Sequence, residues 1–378
     1  MYNFCPQDEF LARLGRYVTM DTPSADYEHM QLLNAQLEKD LIEAGAAVQR
    51  IEASRGDVLV AEVGSGAHRV LLLGHKDTVF SLGGAEKNPF RMEERDGQQV
   101  LRGPGVLDMK SGVCMMIELL RHFAASPLED WRITAIFNCD EEIGSGESSE
   151  VIYEYLKQSD YCLCFEPAKP GQCVVARKGL SAYRITAHGI SSHSGVNYLA
   201  GASAIEGLCR VVSKIYDLRD DEHELSVNVG LIEAPGKLNI VTDYAMARGE
   251  MRCYDPKRLS ENLEKVREIC EQCPVDRVTF DVELSTGRPA MVRTEASEKL
   301  LQIAKESAKA HGLSLSGIAR GGGSDASFAS AMGIPVLDGL GAEGDGSHTV
   351  DEFVVWDTLY QRLMTCADLI RQASKIEL

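Results

Sequence analysis

Several residues that can bind a metal ion follow apolar segments of the sequence. His75 comes directly after the segment 71–74 and is separated from Asp77 by one residue. Because residues i and i+2 of an extended strand face the same side, this spacing suits a metal-ligating His75 whose second ring nitrogen is held by Asp77. A single histidine after a strand is more often an ordinary core or surface residue, so this pair alone does not define a site.

A glycine-rich turn places an aspartate at the start of a predicted helix. The turn is Gly103-Pro104-Gly105, and Asp108 follows it. An aspartate in this place is a common N-cap. A glycine-rich approach equally suits a backbone that comes close to a bulky or charged group, so this motif by itself leaves both interpretations open.

Carboxylates also stand at the ends of two predicted strands. Asp140, Glu141 and Glu142 follow the apolar run that ends at Asn138, and Glu166 follows another apolar run. A solvated acidic loop is one interpretation. Three adjacent carboxylates repel one another unless solvent or a cation relieves them, and ligands of open α/β sheets gather at the carboxyl ends of strands.

A second histidine, His348, lies in the loop before the last predicted helix. Together with the residues above it completes a set of two imidazoles and three carboxylates: His75, Asp108, Glu142, Glu166 and His348. This set suits two zinc ions with one carboxylate bridging them, as in two-metal hydrolases. Glu141 is then a spare carboxylate that can deprotonate a metal-activated water.

The elements that must position these residues alternate between helix and strand. We predict helices over 9–18, 27–44 and 149–157, with another after Lys110, and strands over 58–63, 70–73, 133–138 and 161–165. This alternation is typical of an α/β sheet with helices on both faces. From 295 onward the same style returns, ending in a helix over 352–373.

The middle of the chain has a different pattern. Between 181 and 284 the predicted order is β-α-β-β-α-β, that of a ferredoxin-like α+β unit. We therefore predict a catalytic domain built from residues 1–178 and 287–378, interrupted by an inserted domain over 179–286.

The composition limits the partners and the compartment. The chain has 378 residues, with 39 Lys plus Arg against 57 Asp plus Glu, so its formal charge is −18. Nucleic acids and anionic membranes require a basic face, so we expect neither as a partner. The N-terminus does not resemble a secretion signal, and no run approaches the ~20 apolar residues of a membrane span. The 11 cysteines lie mostly in apolar stretches and predict reduced thiols in a cytoplasmic protein.

Over nearly its whole length the sequence resembles the di-zinc peptidases that include aminoacylase, acetylornithine deacetylase and the glutamate carboxypeptidases. NPFR, the GPG before Asp108 and GRPA (287–290) are most similar to the folate-hydrolysing glutamate carboxypeptidases. The motifs that carry the resemblance are, in order, GHKDTV, NPFR, GPGVLDMKSG, NCDEEIGS, FEP, GISSHSG, RGGGSDAS and GSHT.

The resemblance implies a role for each residue of the candidate centre. Asp108 would bridge two zinc ions, with Mn²⁺ or Co²⁺ as substitutes. His75 and Glu166 would complete the coordination of one ion, and Glu142 and His348 that of the other. Asp77 would orient His75. Glu141 would be the general base that later gives a proton to the leaving amine.

It also implies roles in the inserted domain, which would act as a lid and join two subunits into a homodimer. His193 would reach across the dimer to stabilise the oxyanion in the partner's site. Asn239 and Arg252 would hold the substrate's terminal carboxylate, although Arg252 on an alternating strand also fits a solvated charge. Backbone N–H groups of Gly321, Gly322 and Gly323 would bind the same carboxylate, with a flexible linker as the alternative.

The expected function is therefore zinc-dependent release of a C-terminal amino acid, with glutamate favoured. The alternatives are an N-acyl-amino-acid deacylase, a dipeptidase, and a catalytically silent relative that binds metal or peptide. In each enzymatic case the substrate is a small peptide or N-acyl amino acid with a free carboxylate. The sequence departs from the family pattern at Ser111, a small change at a helix start, and at Thr242. The added positive charges of Arg177, Lys178 and Arg320 bear on the substrate rather than on the hydrolytic chemistry.

Overall fold

The computed structural model describes residues 2–376, and the chain folds as two units. The first unit contains the residues up to Ala176, then Met291–Arg320, and the residues from Ser324 onward. The second unit is Arg177–Ala290 together with Gly321–Gly323.

A six-stranded mixed sheet organises the first unit. Its order is β1-β2-β6-β3-β7-β16, in which β6, β3, β7 and β16 run parallel and β2 runs antiparallel to β6. These strands are β1 (Ala47–Ile51), β2 (Val58–Gly64), β3 (His68–His75), β6 (Trp131–Asn138), β7 (Tyr161–Cys164) and β16 (Val336–Leu337).

Helices cover both faces of this sheet because its central strands are apolar on both sides. In β3, Leu72 packs in one core and Leu71 and Leu73 pack in another. The first core receives residues of α4 and α10, and the second receives residues of α5 and α9. The helices of this unit are α1 (Gln7–Val18), α2 (Tyr27–Glu43), α3 (Gly84–Lys87), α4 (Ser111–Ala125), α5 (Ser148–Leu156), α8 (Glu295–Ala310), α9 (Ala326–Ala331) and α10 (Trp356–Ala373).

A small four-stranded sheet of order β17-β18-β5-β4 also belongs to the first unit. It contains β4 (Arg91–Arg95), β5 (Gln98–Arg102), β17 (Gly344–Asp345) and β18 (Phe353–Val355). A separate pair joins β8 (Gln172–Arg177) to β15 (Ser316–Arg320). The small sheet matters for function because the segments that leave β5 and enter β18 carry two candidate ligands.

The second unit has a four-stranded antiparallel sheet, β11-β13-β9-β14, with α6 and α7 packed on one face. A two-stranded ribbon of β10 and β12 adjoins it in sequence. The elements are β9 (Gly179–His188), β10 (Ser192–His193), α6 (Ala204–Tyr216), β11 (Ser226–Glu233), β12 (Ile240–Val241), β13 (Tyr244–Cys253), α7 (Pro256–Glu271) and β14 (Thr279–Thr286).

The predicted fold class, an α/β unit interrupted by an α+β unit, is confirmed. The last helix is a correction: it was expected to begin at Glu352 but begins at Trp356. Residues 353–355 form β18 instead, because Phe353–Val355 pairs with β5. Within residues 2–376 no helix is both long and apolar enough to cross a membrane.

His122 makes the stability of the first unit dependent on pH. It is buried, its Nδ1 accepts the N–H of Asn3 at 3.1 Å, and its Nε2 lies 2.9 Å from Nη2 of Arg371. Burial, and then the charge of Arg371, lower the pKa of His122 below its usual value. The unfolded chain therefore takes up a proton at higher pH than the folded chain, and the free energy of unfolding falls as pH drops below about 6.5.

We expect His122→Asn to flatten this part of the stability profile in urea titrations between about pH 7 and about pH 5. His68 provides a contrast, because its hydrogen bond with Asp160 raises its pKa. His68→Gln should therefore remove stabilisation at low pH, so that the free energy of unfolding falls more steeply as the pH drops. Parallel profiles for wild type and His122→Asn would contradict the assignment.

Candidate metal centre

Three adjacent parallel strands bring the first group of candidate ligands together. In the order β6-β3-β7, His75 ends β3 opposite Asn138 of β6, and Leu73 lies opposite Cys164 of β7. The carboxyl ends of these strands therefore meet at one edge of the sheet. Glu141 and Glu142 follow β6 and Glu166 follows β7, so their carboxylates converge on the imidazole of His75.

The other two candidate ligands come from the small sheet. Asp108 lies in the irregular turn Val106–Lys110 that follows β5, and its peptide bond to Met109 is cis. His348 lies in the segment between β17 and β18, with a backbone φ of +68°. Because Phe353 of β18 pairs with Arg102 of β5, both segments are anchored on neighbouring strands.

Asp108 stands between the two imidazoles. Its Oδ1 is 3.1 Å from Nε2 of His75, and its Oδ2 is 3.3 Å from Nε2 of His348. Glu166 Oε1 lies 3.7 Å from Nε2 of His75, and Glu142 Oε2 lies 3.2 Å from Nε2 of His348. The structure thus brings all five predicted ligands together, with one oxygen of Asp108 directed to each half of the centre.

Asp77 fixes more of the site than the sequence indicated. Its backbone oxygen lies 3.0 Å from Nδ1 of His75, and its Oδ1 lies 3.4 Å from the same nitrogen. Its carboxylate also accepts the backbone N–H groups of Glu141 and Glu142, both at 3.2 Å, and the hydroxyl of Ser24 at 2.7 Å. The contacts with the acidic turn depend on the adjacency of β3 and β6, which the His-x-Asp spacing does not reveal.

Glu141 lies at the same edge. Carboxylate oxygens of Glu141 and Glu166 and a ring nitrogen of His75 are all within 4.8 Å of one another. The side chain of Glu141 is buried, with 8% of the residue exposed. Its position therefore suits a group that exchanges protons with a molecule held in the centre.

Negative charge exceeds positive charge in this centre. Burial, and then the charges of Asp108 and Glu141, raise the pKa of Glu166 well above its usual value. Hydrogen bonds with Asp108 and Glu142 raise the pKa of His348 to about 10. Burial alone would raise the pKa of Asp108, but hydrogen bonds with His348 and His75 hold it well below its usual range.

These residues fit a pair of divalent cations. Imidazole nitrogens and carboxylate oxygens are the donors that zinc takes in hydrolases. Oε1 of Glu142 is buried and has no hydrogen-bond partner among residues 2–376, as expected of an oxygen reserved for an ion. Two groups of three donors, His75-Glu141-Glu166 and His75-Asp108-Glu142, have ligand atoms within 4.8 Å of one another.

The predicted oxyanion residue lies in the second unit. His193 is exposed on β10, and its Nδ1 accepts the backbone N–H groups of Gly195 and Val196, both at 3.1 Å. These bonds favour the tautomer that carries its proton on Nε2. The ribbon also joins His193 to the segment of Asn239, whose backbone oxygen accepts the N–H of Ser194 at 3.0 Å.

Arg252 is paired with a carboxylate of its own strand. Its Nε and Nη2 donate to the two oxygens of Glu250 at 2.8 and 3.2 Å, and its Nη1 lies 3.5 Å from the backbone oxygen of Gly321. The backbone oxygens of Gly322 and Gly323 accept from Arg177 at 3.1 and 3.3 Å. The structure therefore brings Arg252 and Gly321 together through a carbonyl oxygen.

A cluster of imidazoles and carboxylates, formed at the carboxyl edge of a mixed sheet and completed by two segments of a small second sheet, is typical of a metal-dependent hydrolase. The model of peptidase family M20/M25/M40 matches residues 71–372. The chain therefore belongs to this family of metal-dependent enzymes, which confirms the predicted family and enzyme class.

Three comparisons describe its similarity to known members. The chain is 30% identical to carboxypeptidase G2 of Pseudomonas sp. (strain RS-16) over 373 residues, covering 96% of this chain and 89% of the relative. It is 28% identical to succinyl-diaminopimelate desuccinylase of Corynebacterium glutamicum over 300 residues, covering 76% of each. The crystal structure of aminopeptidase PepT from Bacillus cereus superposes with a TM-score of 0.81 at 22% identity, covering 98% of this chain and 99% of that one.

Proposed function

We propose that this protein is a di-zinc carboxypeptidase that releases a C-terminal amino acid, with glutamate as the favoured residue. The observation that carries the proposal is the position of Asp108, with one oxygen toward His75 and the other toward His348. Asp108 would bridge the two ions. His75 and Glu166 would complete the coordination of one ion, and Glu142 and His348 that of the other.

When bound, the metal pair polarises an amide carbonyl and lowers the pKa of a water molecule. Glu141 removes a proton from the attacking water and then delivers it to the leaving amine. Asp77 supports both tasks, because it accepts the N–H of Glu141 and holds Nδ1 of His75. Mn²⁺ and Co²⁺ can occupy the same donor set.

The second unit would bind the substrate and act as lid and dimerisation domain, with boundaries at 179 and 286. His193 is suited to donate from Nε2 to the oxyanion that forms during attack, in the active site of a partner subunit. Asn239, which directly precedes β12 of this ribbon, would hold the terminal carboxylate of the substrate together with Arg252. Arg252 would hold the free carboxylate of the leaving amino acid, together with the turn Gly321–Gly323.

The competing functions are N-acyl-amino-acid deacylation and dipeptide cleavage. Similarity to carboxypeptidase G2 favours release of a C-terminal residue, and similarity to a desuccinylase supports deacylation as the second candidate. A silent metal- or peptide-binding relative is the alternative outside enzymes. The complete donor set with Glu141 argues for catalysis.

The eleven free thiols support a cytoplasmic protein.

A hydrolysis screen tests the proposal. The purified protein, loaded with Zn²⁺, Mn²⁺ or Co²⁺, is offered peptidyl-glutamates, N-acyl amino acids and dipeptides, each with its carboxyl-amidated counterpart. We expect the highest kcat/KM on peptidyl-glutamates and a loss of turnover when the terminal carboxylate is amidated. Preference for N-acyl amino acids would favour the deacylase. Absence of turnover with about two equivalents of zinc bound would favour the silent relative.

A further inference from the structure

A fully buried carboxylate, Glu352, connects the two segments that supply Asp108 and His348. Its side chain has no exposed surface, and it lies four residues after His348 in the chain. Oε1 accepts the backbone N–H groups of Leu107 at 2.6 Å and Asp108 at 2.9 Å, and Oε2 accepts that of Gly105 at 3.2 Å.

The segment that Glu352 binds has little regular structure of its own. Asp108 has φ −114° and ψ +94° inside the turn Val106–Lys110, and Gly105 precedes it with a φ of +69°. Three backbone N–H groups of this segment, those of Gly105, Leu107 and Asp108, converge on one carboxylate, as such groups do in anion-binding turns. Glu352 therefore organises the backbone from which the side chain of Asp108 projects.

Glu352 also belongs to the turn that carries His348, through its own backbone. It is a tight turn in which Thr349 donates to the backbone oxygen of Gly346 at 3.0 Å and Glu352 donates to that of Thr349 at 3.3 Å. Glu352 is the last residue of this turn before β18. Its side chain thus ties the His348 turn to the Asp108 turn across the β5–β18 pair.

We propose that Glu352 is a positioning residue that sets the spacing between Asp108 and His348 and thereby the affinity of the zinc site they share. This inference rests on the proposed function in one respect, since it takes Asp108 and His348 as zinc ligands. Glu352 is not one of the proposed zinc ligands, because its carboxylate is bound to backbone N–H groups. It acts through the backbone of Asp108 and through the turn that carries His348.

The chemistry of the contact requires a carboxylate of this length. An ionised carboxylate only accepts hydrogen bonds, and two oxygens can receive three N–H groups. A glutamine offers one oxygen, and its NH₂ group would face a backbone donor. An aspartate is one methylene shorter and reaches fewer of the three donors.

The experiment compares zinc binding by wild type, Glu352→Gln, Glu352→Asp and a matched control, Glu118→Gln. Glu118 is also a fully buried carboxylate, but it binds the N–H of Cys5 at 2.7 Å and the guanidinium of Arg13 at 2.5 Å, and it contacts neither ligand segment. Zinc dissociation constants are measured by chelator competition, and the Co²⁺-substituted proteins are compared by their visible absorption spectra.

We expect Glu352→Gln to weaken zinc binding at the site of Asp108 and His348 by ~10–100-fold and to alter the Co²⁺ spectrum. The zinc affinity of Glu352→Asp should lie between that of Glu352→Gln and that of wild type. Glu118→Gln should lower the melting temperature while leaving zinc affinity and the spectrum unchanged. In a His348→Ala background, Glu352→Gln should reduce zinc affinity by a smaller factor than it does in wild type, because both changes act on the same ion.

Wild-type affinity for both ions in Glu352→Gln, or an equal loss in Glu118→Gln, would overturn this role for Glu352. Should Glu352→Gln fail to fold, an unchanged zinc affinity in Glu352→Asp would overturn it in the same way. A wild-type protein that binds no zinc would instead overturn the proposed function and the inference together, so the two failures are distinguishable.

Discussion

Glu141→Gln should lower kcat by ~10²–10⁴-fold while zinc content stays near that of wild type. The glutamine keeps the size of the side chain but cannot take a proton from the attacking water. The ions are retained because all five proposed ligands remain. The expected fall is in kcat rather than KM, since Glu141 acts on the reacting atoms and Arg252 is the residue assigned to the substrate carboxylate.

The measurement pairs steady-state kinetics with metal analysis of the same preparation. Glu150→Gln is a suitable control, because this residue lies on α5 in the same acidic stretch of sequence but outside the donor groups of the centre. Its kcat should match that of wild type. If Glu141→Gln hydrolysed substrate at the wild-type rate, Glu141 would not be the base. If it lost zinc, Glu141 would be a ligand.

Replacement of Asp108 by Asn should remove activity and disturb both ions. The carboxylate has one oxygen near each imidazole, at 3.1 and 3.3 Å, so its conversion to an amide weakens both halves of the centre. Metal ions supply several kcal/mol of transition-state stabilisation, and ~1.4 kcal/mol corresponds to a factor of ten in rate. We therefore expect a loss of ~10³-fold or more in kcat/KM.

Metal stoichiometry distinguishes this variant from His348→Ala. His348 serves one half of the centre, so His348→Ala should retain about one equivalent of zinc, whereas Asp108→Asn should retain less. Circular dichroism confirms that each variant is folded. Two tightly bound zinc ions in Asp108→Asn would show that Asp108 does not bridge them.

The three central strands and the ligands that follow them could be predicted from the sequence. The predicted strands end at Leu73, Asn138 and Phe165, and a candidate ligand follows each one within a few residues: His75, Glu142 and Glu166. Parallel pairing of β3 with β6 and β7 then brings those ends together. The order of the second unit was equally accessible, because its strands alternate and its helices have one apolar face.

The small sheet could not be predicted in the same way. Strand β18 has three residues, too few for a periodic signal, and Phe353–Val355 becomes a strand only because β5 pairs with it. Glu352 resembled an acidic residue in the first turn of a helix, a frequent pattern. Its burial beneath the backbone of Asp108 depends on tertiary contacts between residues more than 240 apart in sequence.

The candidate ligands are spread unevenly along the chain, and this affects how the centre forms during synthesis. His75, Asp108, Glu142 and Glu166 precede the second unit, and His348 follows it. A growing polypeptide therefore exposes three carboxylates and one imidazole while the whole second unit is still being made. Chains that stop before residue 348 would carry only part of the donor set. Binding of both zinc ions is thus expected only in chains that extend past His348.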